Sequence, residues 1–89
     1  MQSTNILFFH FYDNTKKIKI QTILLNKKKF KNFEKAIDWI KEKEYDSNNF
    51  EETCEYYSFR QKDPSKFSPS SLKVISLKSG IKAIIGKLN

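Results

Sequence analysis

The chain has 89 residues with thirteen aromatics, two glycines and two prolines, and a net charge of +7 carried by sixteen lysines and a single arginine against ten acids. One small domain fits that length and a second does not, and the aromatic and aliphatic content with so little glycine and proline excludes a disordered chain. A basic balance of this size draws the protein to polyanions, whether nucleic acid, an anionic membrane face or an acidic protein.

The charge is laid out in blocks. Residues 16–31 hold seven lysines and no acid, residues 34–55 hold eight acids against three lysines, and residues 56–89 hold seven basic groups against Asp63 alone. Sixteen lysines to one arginine, with many asparagines, isoleucines and phenylalanines, is also the bias of an AT-rich genome. Part of the basicity therefore follows from codon usage.

In chain order, residues 5–12 are rich in aromatic and β-branched types, and Asp13-Asn14-Thr15 is a turn signal. Ile18-Lys19-Ile20-Gln21-Thr22-Ile23 alternates apolar and polar residues ahead of Leu24-Leu25, which predicts a β-hairpin with the preceding run. The run Ile6–Tyr12 is seven residues, far short of the roughly 20 that a membrane-spanning helix needs. Asn26-Lys27-Lys28-Lys29-Phe30-Lys31 is too charged to bury and reads as an exposed basic loop.

Asn32 is placed to cap a helix in which Phe33, Ala36, Ile37 and Ile40 form an apolar stripe with Trp39 at its edge. That helix is expected to pack on a sheet and end near Glu44. Its outer side carries Glu34, Asp38 and Glu42 as an acidic row, and Asp46-Ser47-Asn48-Asn49 follows as a loop. Residues 53–61 read as one strand with Tyr57 and Phe59 on one face and Tyr56, Ser58 and Arg60 on the other. Asp63-Pro64-Ser65 and Ser68-Pro69-Ser70-Ser71 punctuate a loop holding Lys62, Lys66 and Phe67. Leu72–Leu77 and Ile81–Ile85 then form a second hairpin turned at Gly80. The expected architecture is α+β: one domain over residues 1–89, a small antiparallel sheet in the order β-β-α-β-β-β with one helix packed on one face.

No catalytic pattern stands out. His10 is the only histidine, so no His-His or His-Cys metal spacing exists, and no histidine-based triad is indicated. Cys54 has no internal disulfide partner and lies between Thr53 and Glu55, where a carboxylate disfavours the thiolate. It reads as a small half-buried side chain. Glu51, Glu52 and Glu55 offer neither a cleft nor converging ligands, and the two glycines belong to the last hairpin rather than to a phosphate-cradling loop. No enzyme activity, cofactor, metal or small-molecule substrate is indicated. The lone cysteine, with neither a basic n-region nor a long apolar h-region, points to a reducing cell interior rather than secretion.

The basic groups carry the functional expectation. Lys27, Lys28, Lys29 and Lys31 precede the helix and are suited to backbone phosphates. Arg60, beside Tyr56 on one sheet face, is suited to stacking a base or holding a phosphate bidentately, with Lys62 and Lys66 following. The structural alternative is that Arg60 pairs with Glu55, Asp63 or a C-terminal carboxylate and pins the sheet.

The segments Ile23–Phe30, Ala36-Ile37-Asp38-Trp39-Ile40 and Tyr57-Ser58-Phe59-Arg60-Gln61 with Asp63-Pro64, and the ending Ile81-Lys82-Ala83-Ile84-Ile85-Gly86, resemble a group of small uncharacterised proteins of tailed phages and large DNA viruses. The resemblance covers about residues 20–87. Such relatives often carry another arginine where this chain has Ser58. The resemblance implies a viral origin, and with it a place in the host cytoplasm or the virion, and brings no activity with it. Two functions are expected from the residues: non-enzymatic binding of DNA or RNA through phosphate contacts, or a protein-interaction module docking by a sheet edge or the acidic helix row.

Overall fold

The computed structural model describes residues 18–89; the expected strand over residues 5–12, with His10, lies outside them. The described chain is α+β. Five strands form one antiparallel sheet, namely β1 (Ile18–Asn26), β2 (Phe50–Glu52), β3 (Tyr56–Arg60), β4 (Lys73–Lys78) and β5 (Ile81–Lys87), in the order β2-β3-β1-β5-β4. One helix, α1 (Phe33–Glu42), packs on one face.

The apolar residues of β1 cannot all share a face by simple alternation, because Ile18 and Ile20 are out of step with Ile23 and Leu25. A bulge resolves this. Ile20 stands opposite Ile85 and Thr22 opposite the adjacent Ile84, so Gln21 is the extra residue. Ile20 and Ile23 then both reach the helix-side core, while Thr22 and Leu24 turn to the other face. The bulge leaves Gln21 buried, and its amide is satisfied: Nε2 donates to the Lys62 carbonyl at 3.1 Å and Oε1 accepts from Thr22 Oγ1 at 2.8 Å.

The helix forms as its sequence dictates. Asn32 is the N-cap, its side chain accepting the Lys35 N–H at 2.9 Å, and Ala36 and Ile40 are fully buried with Phe33, Ile37 and Trp39 packed around them. Phe33 inserts among Phe50, Tyr57 and Phe59, with ring centroids 4.7, 6.2 and 6.4 Å away. The helix ends at Glu42, slightly before the expected Glu44, which adopts a left-handed φ of 65° as the chain reverses. Glu34, Asp38 and Glu42 are all exposed. Asn32→Ala should cost about 1 kcal/mol, read as a lower urea midpoint with unchanged m-value; unaltered stability would remove the cap from the account.

Two expectations between residues 50 and 61 need correction. The single strand over 53–61 is a hairpin: Phe50–Glu52 pairs with Tyr57–Phe59, and the chain turns between them, with Thr53 N–H donating to the Tyr56 carbonyl at 2.9 Å. Cys54 lies in that turn and is exposed, not half-buried. The two-face division of β3 does hold, with Tyr57 and Phe59 buried against the helix side.

The second hairpin, β4 to β5, turns at Ser79-Gly80, where Gly80 takes a φ of 79°. Between β3 and β4 the chain makes two short 3-10 turns, Pro64–Lys66 and Pro69–Ser71. Phe67, expected in a loop, is buried at 1% exposure, and with Leu72 it lies directly over Gly86 of β5. This segment covers one end of the sheet face opposite α1.

Candidate nucleic-acid interface

Among the described residues one face of the sheet carries no helix, and cross-strand register defines what this helix-free face presents. Residues directly opposite one another share a face. One row runs Arg60, Thr22, Ile84, Val74, and the next runs Glu51, Ser58, Leu24, Lys82, Ser76. Tyr56, opposite Asn26, completes the β3 side. Lys82 is a cation of this face that the sequence reading did not single out. The signal was present, since Lys82 alternates with buried Ile81 and Ala83 and must therefore point away from the helix. Its Nζ lies 6.0 Å from the Tyr56 ring centroid, so the ring already has a cation partner.

The eight basic and aromatic residues singled out from the sequence fall into two groups. Lys27, Lys28, Lys29 and Lys31 occupy the turn after β1, close to Tyr56. Arg60, Lys62 and Lys66 lie at the other end of β3, four strand residues or ~13 Å from Tyr56.

The lysine turn is embedded in its surroundings. Lys27 forms an ion pair with Glu52 and sits 5.2 Å from the Tyr57 ring centroid, and its N–H donates to the Glu55 carbonyl. Lys29 Nζ donates to the Ser79 carbonyl at 3.0 Å, and its methylene chain packs against Gly80. Lys28 and Lys31 are exposed, with no side-chain partner among the described residues. The acidic block thus folds back beside the lysine turn and offsets part of its charge.

The other end is less compensated. Arg60 is exposed and makes no ion pair with Glu55, Asp63 or any other acid among the described residues. Asp63, the nearest acid in sequence, is occupied locally: its carboxylate accepts the Ser65 N–H at 2.9 Å and is held below its ordinary pKa chiefly by that bond, with Arg60 and Lys66 adding a weaker electrostatic contribution. Gln61 anchors the segment, its side chain accepting the Asp46 N–H and donating to the Asp46 carbonyl, both at 2.8 Å. In Phe59-Arg60-Gln61, then, the first residue packs the core and the third clamps a loop, while the arginine stands free between them.

Beside Arg60 the helix-free face is hollowed. A depression of about 580 Å³ has Thr22, Leu24, Ser58 and Ile84 along the strands, with Asn48, Asn49, Phe50 and Glu51 on one side and Pro64 on another. Among the described residues no three His, Cys, Asp or Glu side chains converge as a metal site would require. No helix among them is long and apolar enough to cross a membrane.

Comparison with protein-family models, with curated proteins and with solved structures gives no match. The arrangement of charge on the sheet therefore carries the functional reading.

Proposed function

We propose that this is a virus-encoded, non-enzymatic protein that binds nucleic acid by phosphate contacts made from the helix-free sheet face and its two flanking loops. The observation that carries the reading is that Arg60, the single guanidinium of the chain, is exposed on that face without an acid partner among the described residues. Lys82 on the same face, Lys62 and Lys66 beside Arg60, and Lys28 and Lys31 at the far end extend the cationic surface. Lys27 and Lys29 serve the fold as well as the charge. The acidic row of α1 lies on the opposite side of the sheet, which orients the protein in the field of a polyanion. The viral source rests on the sequence resemblance and on the lysine-rich composition.

Four to six phosphate contacts would give a log–log dependence of affinity on salt with slope about −3 to −5. Fluorescence anisotropy with labelled DNA and RNA, from low to physiological salt, checks this. No binding even at low salt, or binding that vanishes by physiological salt with no preference among the DNA and RNA ligands, would reduce the lysines to a solubilising surface.

The protein-docking alternative is supported by Val74, 56% exposed on β4, and by Phe50, 40% exposed on β2, the two edge strands of the sheet among the described residues. It becomes the better reading if nucleic-acid binding fails.

A further inference from the structure

We infer that the depression beside Arg60 receives one unstacked nucleotide, so that the protein prefers single-stranded to duplex nucleic acid. The inference rests on the nucleic-acid reading above and narrows it to a ligand class. The lining is mixed in the way a nucleotide requires. Leu24 and Ile84 present apolar surface along neighbouring strands, against which the flat face of a base can lie. Asn48 and Asn49 border the depression, residues whose amides can donate and accept at a base edge, and Ser58 brings a hydroxyl, whereas the Thr22 hydroxyl already donates to Gln21. Arg60 supplies the charge for the phosphate, and its guanidinium offers a paired donor edge to two phosphate oxygens.

Glu51 sets the direction. It stands opposite Ser58, on the β2 side of the depression, and repels phosphate from that side. The phosphate is left to Arg60 and to Lys62 and Lys66 beyond it, while the Glu51 carboxylate can accept from a base amino or imino N–H. A flat cationic face would meet a duplex and a single strand alike through their phosphates. A hollow walled by residues 48–51 and Pro64 admits a base only when that base has left its stack, which single strands permit at little cost.

The test is equilibrium anisotropy at physiological salt with a mixed-sequence DNA strand and the same strand as a blunt duplex, using the full chain. The single strand is expected to bind about tenfold tighter than the duplex, the size that one base contact can supply. Arg60→Ala is expected to weaken single-strand binding about tenfold and duplex binding no more than about twofold, whereas the double variant Lys28→Ala/Lys31→Ala weakens both forms equally. Arg60 is exposed, so its variant should keep the wild-type circular dichroism, and Arg60→Lys should recover only part of the loss. Equal affinity for the two forms, or an equal loss on both from Arg60→Ala, overturns the nucleotide-binding depression while leaving phosphate binding intact. No binding to either form overturns both.

Discussion

Truncating Phe59 to alanine is expected to remove about 3–5 kcal/mol of stability, the range for deleting a fully buried aromatic ring. Phe59 has no exposed surface, and it stands on the central part of the sheet opposite Ile23 of β1 and Phe50 of β2. Its ring lies 5.3 Å from that of Phe50 and 6.4 Å from that of Phe33, so it joins two strands to the helix. A domain of this size has a total stability of about 4–13 kcal/mol, and the loss consumes a large part of it. Trp39, half-buried with its ring 6.2 Å from Phe30 and 6.1 Å from Tyr45, is the single tryptophan and reports unfolding by fluorescence. The urea midpoint should fall sharply for Phe59→Ala and much less for Phe59→Leu, which refills most of the space. Equal effects of the two would mean that ring volume is not what the site requires.

A side chain at Gly86 should be nearly as damaging. A β-carbon there would fall 2.6 Å from Leu72 Cδ2 and 2.9 Å from Phe67 Cδ2, closer than carbon atoms approach without displacement. Phe67 is buried at 1% exposure and has little room to yield, whereas Leu72 is half-buried and ends in a flexible methyl. Gly86→Ala should therefore cost about 1–3 kcal/mol as overpacking, and Gly86→Val more. Combining Gly86→Ala with Leu72→Ala should cost less than the sum of the two, because removing the leucine methyls vacates the space the new carbon needs. Strict additivity would show that the clash is taken up elsewhere.

These two sites also mark where sequence reasoning succeeds and where it stops. Phe59 is legible because it alternates with exposed positions in a strand-forming run, and the helix is legible because Asn32 and its apolar stripe act within one or two turns. The α+β class follows from those local patterns. Gly86 is illegible, since its need for a bare α-carbon is imposed by Phe67 and Leu72, which reach it from a loop. Strand β2 was hidden by composition: Phe50-Glu51-Glu52 puts two acids in three residues, and only pairing with β3 makes it a strand. The exposure of Cys54 follows from that hairpin. In the site, period-two alternation places Arg60 and Tyr56 together on the face away from the helix. The ion pair of Lys27 with Glu52 and the bond from Lys29 to Ser79 join residues distant in sequence, so a lysine run that looks uniform as text divides into three environments, with Lys28 and Lys31 sharing the exposed one.

The bulge at Gln21 has a consequence for recognition. The Gln21 carbonyl accepts the N–H groups of Gln61 and Lys62, at 2.8 and 3.3 Å, while its side chain holds the Lys62 carbonyl. One buried residue of the central strand thus grips the peptide groups immediately after Arg60 from both sides. Backbone that would otherwise be ordered only at the moment of encounter is ordered beforehand, at a cost already met in folding. On the proposed function, a polyanion arriving at Arg60 and Lys62 would find the backbone that carries them preset, and its affinity would not be drawn down by freezing that chain.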